Sequence, residues 1–290
     1  MAALWPPVHA SLVGARHRAR GERCQDASVC LQGVLGDGLP YSLVVVADGH
    51  GDSRHYRSAI GSQLACDCTV ELIQQAACEP ATDWQCWLHD GFAPTLLQRW
   101  LQRCKADHHD STTTLVSGLP AAHEQTAFSA VPYGTTLGLA LLTPNWWACC
   151  GIGDWDLALL QADGARVVSS EAPQPGGGEA TFSLCMEQTQ AAALMRERCQ
   201  WHPLHAQSTA ALALVLTTDG VRKSCLSERD HLVLCHYLAK ESLPADQRDE
   251  AVDLEAALEQ ITSRGIGDDV SVAACALGPL KLMGILALTS

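Results

Sequence analysis

Short apolar runs predict β-strands near both ends and in the middle of the chain. Residues 26–34 alternate between apolar and polar side chains, and residues 41–47 follow after a glycine-rich turn, which predicts a hairpin. Other apolar runs bounded by Gly, Asn, Asp or Pro predict strands at 135–143, 146–151, 156–161, 210–217 and from 270 onward. The first three of these runs predict an antiparallel meander.

Apolar positions three and four residues apart predict helices between these strands. They lie at 53–78, 84–104, 227–240 and 249–264. Gly61 weakens the first helical pattern, and Pro94 is expected to kink or divide the second. A stretch at 107–132 has no apolar period and predicts a mobile loop, while prolines and glycines at 171–179 predict a surface loop.

The order of these elements predicts one domain of the α+β class over residues 1–290. Strands and helical pairs do not alternate regularly, as they do in parallel α/β sheets, so antiparallel sheets with helices packed outside are expected. The composition, 47% hydrophobic and 18% charged over 290 residues, is typical of a globular chain. No apolar run approaches the roughly 20 residues of a membrane helix, and no signal peptide is predicted.

Charge and cysteine content narrow the classes of partner and compartment. A formal net charge of −13 argues against nucleic acid and anionic membranes as partners, because both require a basic surface. The 14 cysteines include no CxxC pair and several lie inside apolar runs, so reduced thiols in a cytoplasmic protein are expected. An acidic chain that acts on phosphate would need cations, which bound metal could provide.

Aspartates stand repeatedly where an apolar strand meets a turn. One such residue usually caps a turn, but several brought together would repel and require a cation. Mg²⁺ and Mn²⁺ prefer carboxylate, carbonyl and water oxygens. Gly49, without a Cβ, would let its backbone carbonyl approach an ion. The candidate metal-binding aspartates are Asp26, Asp48, Asp154, Asp219 and Asp268.

An ordered set of short motifs resembles the metal-dependent protein phosphatase 2C family, and most closely its bacterial branch. The likeness extends over roughly residues 11–277. Each tripeptide is weak by itself, and the match rests on six motifs in the family's order. They are Cys24-Gln25-Asp26, Ala47-Asp48-Gly49-His50-Gly51, Gly134-Thr135-Thr136, Gly151-Ile152-Gly153-Asp154, Thr218-Asp219-Gly220 and Gly267-Asp268-Asp269-Val270-Ser271.

The resemblance implies a four-layer αββα sandwich of two stacked antiparallel sheets, with a flap-like segment at about 171–208. It also implies two Mg²⁺ or Mn²⁺ ions, bridged by Asp48. The Gly49 carbonyl matches a ligand of one ion, and Asp219 with Asp268 matches the carboxylates of the other. Asp26 matches a residue that binds or orients metal-bound water. Asp154 matches an aspartate that helps to hold a third, weaker ion.

The reaction implied by the resemblance is hydrolysis of phosphoserine or phosphothreonine in a protein, by water that two metals activate. The partner would be a phosphoprotein, such as a cognate Ser/Thr kinase or its target. His50 matches a residue proposed to protonate the leaving oxygen; the alternative is that it bonds a metal-bound water. Arg20 and Arg23 are candidates for phosphate binding, with Arg16 and Arg18 as further options.

Two departures from the family pattern leave alternatives open. Gln25 stands where many relatives have glutamate, and an uncharged amide would hold the second ion more weakly or through water. Asp269 stands where many have asparagine, so Asp268 or Asp269 could be the ligand, with Asp268 preferred. The sequence also permits a catalytically weak phosphoprotein-binding module, or a hydrolase of small phosphomonoesters.

Overall fold

The secondary structure comprises ten strands and eight α-helices in the described part of the chain. The computed structural model describes residues 3–80, 82–113, 127–161, 164–170, 181–204, 212–240 and 253–278. The strands are β1 (Val8–Leu12), β2 (Ala27–Val34), β3 (Pro40–Ala47), β4 (Leu137–Leu142), β5 (Trp146–Ile152), β6 (Asp156–Gln161), β7 (Gly164–Ser169), β8 (Gln200–Pro203), β9 (Leu212–Thr217) and β10 (Val270–Leu277). The helices are α1 (Ala15–Ala19), α2 (Ser58–Cys78), α3 (Trp84–Cys86), α4 (Phe92–Thr113), α5 (Gln188–Glu197), α6 (Asp219–Lys223), α7 (Glu228–Ala239) and α8 (Leu254–Arg264).

The strands form two five-stranded antiparallel sheets that stack face to face. The first sheet has the order β1-β10-β9-β6-β7 and the second the order β2-β3-β4-β5-β8. Helices α2, α4 and α5 cover the outer face of the second sheet, and α7 with α8 covers the first. This confirms the expected four-layer αββα sandwich. None of the described helices combines the length and the apolar character needed to cross a membrane.

The apolar run that forms β3 is buried on both faces. Leu43 and Val45 belong to the core under α2 and α4, while Val44 and Val46 belong to the core between the sheets. Successive side chains of a strand point to opposite faces, so a strand covered on both sides needs apolar residues at every position. The chain leaves this buried layer at Asp48, at one end of the sandwich.

The predicted meander is wrong at its third strand. β4 pairs with β5, but β6 lies in the other sheet, where it pairs with β7 and β9. Between β5 and β6 the chain turns at Gly153, whose φ is +90°, and Trp155 packs into the core between the sheets. A run of apolar residues indicates burial but not which sheet a strand joins, so the sequence pattern could not show the crossing.

The second predicted helix is longer than expected. It continues to Thr113, and Pro94 does not divide it, because a π-helical turn at Trp87–Gly91 widens the helix before the proline. Residues 107–113, predicted as loop, are therefore helical, while 114–126 lie outside the described residues. So do the predicted loop at 171–179 and both ends of the flap-like segment; its described part, 181–204, contains α5 and β8.

Candidate metal centre

The five predicted aspartates line one cavity of about 630 Å³. It lies where β3, β5 and β9 end and β10 begins, so both sheets contribute. Asp48, Asp154 and Asp219 come closest together, with one carboxylate oxygen from each within 4.8 Å of the others. Asp26 and Asp268 line the same cavity outside this closest cluster.

The Gly-Thr-Thr motif before β4 holds the backbone on both sides of Asp48. The Thr136 N–H and the Thr135 hydroxyl both donate to the Asp48 carbonyl at 2.8 Å, and the Asp48 N–H donates to the Thr136 hydroxyl at 3.0 Å. A Cβ on Gly49 would lie 2.4 Å from the Gln25 carbonyl oxygen, so only glycine fits there. Pairing thus continues past the end of β3 and fixes where the Asp48 carboxylate emerges.

Thr218 ties Asp26 to the two strands that carry Asp219 and Asp268. Its hydroxyl donates to Asp26 Oδ2 at 2.8 Å and accepts the Ser271 N–H at 2.9 Å. Burial, followed by the charge of Asp269, raises the pKa of Asp26 well above its ordinary value. The hydroxyl therefore orients one oxygen of Asp26 within the acidic cluster.

Asp268 and Asp269 differ in their contacts and in their exposure. Asp269 is buried, and its carboxylate accepts the N–H groups of Gly14 and Gln25 at 2.6 Å and bonds His17 Nδ1 at 2.9 Å. It thus joins the start of β10 to the segment before β2. Both residues line the cavity, but the Asp268 side chain is 41% exposed and that of Asp269 only 3%. Asp268 is therefore the more accessible of the two carboxylates.

Arg198, at the end of α5, holds the turn that carries Asp154. Its guanidinium donates to the carbonyls of Gly153 and Trp155, one on each side of Asp154, and to the Ser169 hydroxyl. It also lies 4.0 Å above the Trp155 ring, a cation–π contact. Sequence reasoning missed this residue, because its partners lie more than 25 positions away in the chain.

The electrostatics of the cluster are those of crowded carboxylates. Burial, and then neighbouring acids, raise the pKa of Asp48 well above its ordinary value and that of Asp154 to about 7. Burial alone would raise the pKa of Asp219, but hydrogen bonds with Asp154 and Lys223 outweigh it and lower that pKa. Such a cluster is more stable with cations between the carboxylates.

The donor set fits Mg²⁺ or Mn²⁺. Carboxylates, the Gly49 backbone and the Gln25 side-chain amide surround the cavity, and these oxygen ligands suit hard divalent ions. Gln25 Oε1 is buried without a hydrogen-bond partner among the described residues. A buried polar oxygen without a partner is costly, and an ion or its water would satisfy it.

Two histidines lie side by side in the cavity wall. The ring centres of His50 and His55 are 4.9 Å apart, and His55 Nδ1 lies 2.5 Å from the Val131 carbonyl oxygen. Burial, followed by the nearby His55, lowers the pKa of His50 to about 4. In the metal-free protein His50 is therefore neutral at pH 7.

The four arginines that the sequence offered for phosphate binding differ in whether they line the cavity. Arg16 and Arg20 line the cavity, and Arg20 remains 59% exposed. Arg23 is absent from the cavity wall as described, and Arg18 pairs with a glutamate of α8. Arg54, four residues after His50, also lines the cavity, and the sequence analysis did not identify it.

Solved structures share the fold at low sequence identity. PppA of Pseudomonas aeruginosa, described as a key regulatory component of T6SS, is 17% identical with a TM-score of 0.53, over 94% of this chain and 98% of that one. Stp1, a serine/threonine phosphatase from Staphylococcus aureus, is 13% identical with a TM-score of 0.56, over 95% and 96%. The catalytic domain of the phosphatase PstP, in complex with 2 manganese ions, is 16% identical with a TM-score of 0.57, over 95% and 99%.

Of the two sequence comparisons, the one with family models agrees with this fold. No curated protein matches the chain. A family model described as Protein phosphatase 2C matches residues 13–260, well over half of the chain. The chain therefore belongs to the protein phosphatase 2C family.

Proposed function

We propose that the protein is a Mg²⁺- or Mn²⁺-dependent phosphatase that hydrolyses phosphoserine and phosphothreonine in proteins. The observation that carries the proposal is the convergence of Asp48, Asp154 and Asp219 within 4.8 Å in a cavity that Asp26 and Asp268 also line. Family membership and this arrangement of carboxylates support the same chemistry.

The proposed ligands are Asp48 as the shared carboxylate, the Gly49 carbonyl for one ion, and Asp219 with Asp268 for the other. Asp26, oriented by the Thr218 hydroxyl, would bind or orient water. Bound ions would lower the pKa of water and offset the negative charge of the phosphoryl group. Asp269 is assigned a structural role, because its carboxylate is already engaged by two backbone N–H groups.

Cationic side chains at the cavity wall would receive the substrate phosphate. Arg20 is retained as a candidate and Arg54 is added, because Arg20 and Arg54 line the cavity. Arg23 is given up because it is absent from the cavity wall as described. A guanidinium can bind two phosphate oxygens at once. The neutral His50 imidazole would become a proton donor only when a nearby phosphate anion raises its pKa.

Hydrolysis of a phosphoserine peptide tests the proposal. The wild-type protein should be active with Mn²⁺ and inactive with EDTA, and Asp219→Asn should lose at least about a hundredfold in kcat/KM. Asp37→Asn is the matched control, since Asp37 lies in the turn at the opposite end of β3 and an amide can keep its bond to the Leu39 N–H. Full activity in EDTA, or in Asp219→Asn, would refute the proposal.

Gln25 favours a second candidate, a catalytically weak module that binds phosphoproteins. Its amide supplies an oxygen to the cavity but no charge, so it would hold an ion less firmly than a carboxylate. Phosphopeptide binding without turnover at saturating Mn²⁺ would support this candidate. Turnover of small phosphomonoesters, with none of phosphopeptides, would instead indicate a metabolite phosphatase.

A further inference from the structure

Lys223 is a cation in contact with the acidic cluster that the proposed function does not use. Its Nζ atom bonds Asp219 Oδ2 and lies 4.0 Å from Asp154 Oδ2. Lys223 and Asp219 are four residues apart at opposite ends of α6, so one helical turn places both side chains on the same face.

Lys223 contacts two carboxylates of the cluster without lining the cavity as described. Asp154 and Asp219 line the cavity wall, whereas Lys223 is not part of that wall as described, although its side chain is half-buried. The positive charge therefore lies at the edge shared by Asp154 and Asp219. The oxygens of Asp48, Asp26 and Asp268 have no such contact with it among the described ion pairs.

An ammonium and a divalent ion compete for the same oxygens at this edge. Mg²⁺ and Mn²⁺ need short, direct contacts with carboxylate oxygens, and Asp219 Oδ2 already accepts a hydrogen bond from Lys223. Two positive charges within about 4 Å of each other also repel. A divalent ion between Asp154 and Asp219 would therefore have to displace the Lys223 ammonium.

We propose that Lys223 is a built-in counter-ion that takes the place of a divalent ion between Asp154 and Asp219. Ions then bind on the Asp48 side of the cluster, and Asp154 acts as a partner of Lys223 instead of a ligand. This inference rests on the proposed function, because it assumes that Asp48, Asp219 and Asp268 bind divalent ions.

The number of Mn²⁺ ions bound per chain tests this inference. It can be counted on the full-length protein by equilibrium dialysis with metal analysis, and checked by electron paramagnetic resonance of the free ion. Lys223→Met should bind one ion more than the wild type, and Lys223→Arg should bind the wild-type number. Adding Asp154→Asn to Lys223→Met should remove the extra ion. Lys240→Met, at the end of α7, is the control for loss of a lysine elsewhere.

Two further variants keep the test decisive if Lys223→Met does not fold. Lys223→Gln removes the charge but keeps a polar end, and it should also gain one ion. Asp154→Asn in the otherwise wild-type protein should leave the number of ions unchanged, and loss of an ion there would overturn the inference. An equal count in the wild type and in folded Lys223→Met would overturn it too. Absence of any bound Mn²⁺ in the wild type would instead contradict the proposed function, and the inference with it.

Discussion

The proposed role of His50 as a general acid can be tested with two substrates whose leaving groups differ in basicity. A general acid is needed for a poor leaving group such as the serine alkoxide, but hardly for p-nitrophenolate. If His50 protonates the leaving oxygen, His50→Ala should lose about a hundredfold or more in kcat/KM on a phosphoserine peptide and far less on p-nitrophenyl phosphate. His89→Ala, an exposed histidine paired with Asp90, is the control. Equal losses on both substrates would show that His50 acts by orienting water.

A second residue, Gln25, allows a test of which side chains contribute to Mn²⁺ affinity. Its side-chain oxygen is buried at the cavity, so a glutamate would place a negative charge at the same point. Gln25→Glu should therefore lower the Kd of the more weakly bound Mn²⁺ by about tenfold, which corresponds to about 1.4 kcal/mol. Isothermal titration calorimetry measures this Kd, and Gln98→Glu, an exposed position on α4, controls for the added charge. An unchanged Kd would exclude Gln25 from the metal centre.

The five aspartates could be named as candidates from the sequence because each stands near a strand end and within a motif that resembles the family pattern, but only the structure shows that they line one cavity. Asp48 and Asp219 directly adjoin or closely follow apolar runs, and strand ends of one sandwich meet at one edge. Lys223, Arg54 and Arg198 could not be predicted in the same way. Arg54 lies in a turn after the Asp-Gly-His motif, Arg198 acts through residues far away in the chain, and Lys223 lies on the short helix α6, which the apolar pattern did not predict.

At the scale of elements, α6 connects the acidic cluster to the first sheet. It begins with Asp219, and its Arg222 Nε lies 2.5 Å from Asp156 Oδ2 in β6, where the carboxylate is fully buried. The Arg222 side chain is 39% exposed, but without it the buried Asp156 carboxylate would be left with an uncompensated charge. Arg222→Met should therefore lower the free energy of unfolding by about 3 kcal/mol. The melting temperature should fall by about 6 °C or more.

The matching double variant separates this cost from a general loss of packing. Asp156→Leu together with Arg222→Met removes both charges and should recover most of the lost stability. Arg229→Met, an exposed position on α7, should change the melting temperature very little. Calorimetric melting of the four proteins makes the comparison. A melting temperature of Arg222→Met equal to that of the wild type would contradict the role assigned to the pair.

Strands buried on both sides could be predicted well, whereas of the four edge strands only β2, whose side chains alternate, was predicted. β3, β4 and β9 are fully or almost fully buried, and their continuous apolar runs gave nearly correct bounds. β1, β7 and β8 are edge strands with mixed burial, and the pattern at those positions predicted no strand. The partner of β6 was also beyond prediction, since a strand with two buried faces looks alike in either sheet.

At the scale of the whole molecule, the acidic cluster couples stability to pH in the metal-free protein. The folded protein keeps a proton on Asp154 up to about pH 7, whereas the unfolded chain loses it near pH 4. The folded state binds more protons in this window, so the free energy of unfolding falls as the pH rises through it. The raised pKa values of Asp26 and Asp48 act in the same direction, and the lowered pKa of Asp219 opposes them.

Divalent ions should reverse this dependence, because they bind the deprotonated carboxylates and join residues from both sheets. At pH 7.5, Mn²⁺ at about 100 times its Kd should raise the free energy of unfolding by about 2.7 kcal/mol. At pH 5.5 the gain should be smaller, since protons compete with the ions for Asp48, whose pKa is raised. Differential scanning calorimetry with Mn²⁺ or EDTA at both pH values measures the difference. Asp219→Asn should remove most of the gain at pH 7.5. Equal gains at both pH values would mean that Mn²⁺ stabilises the protein at some place other than the acidic cluster.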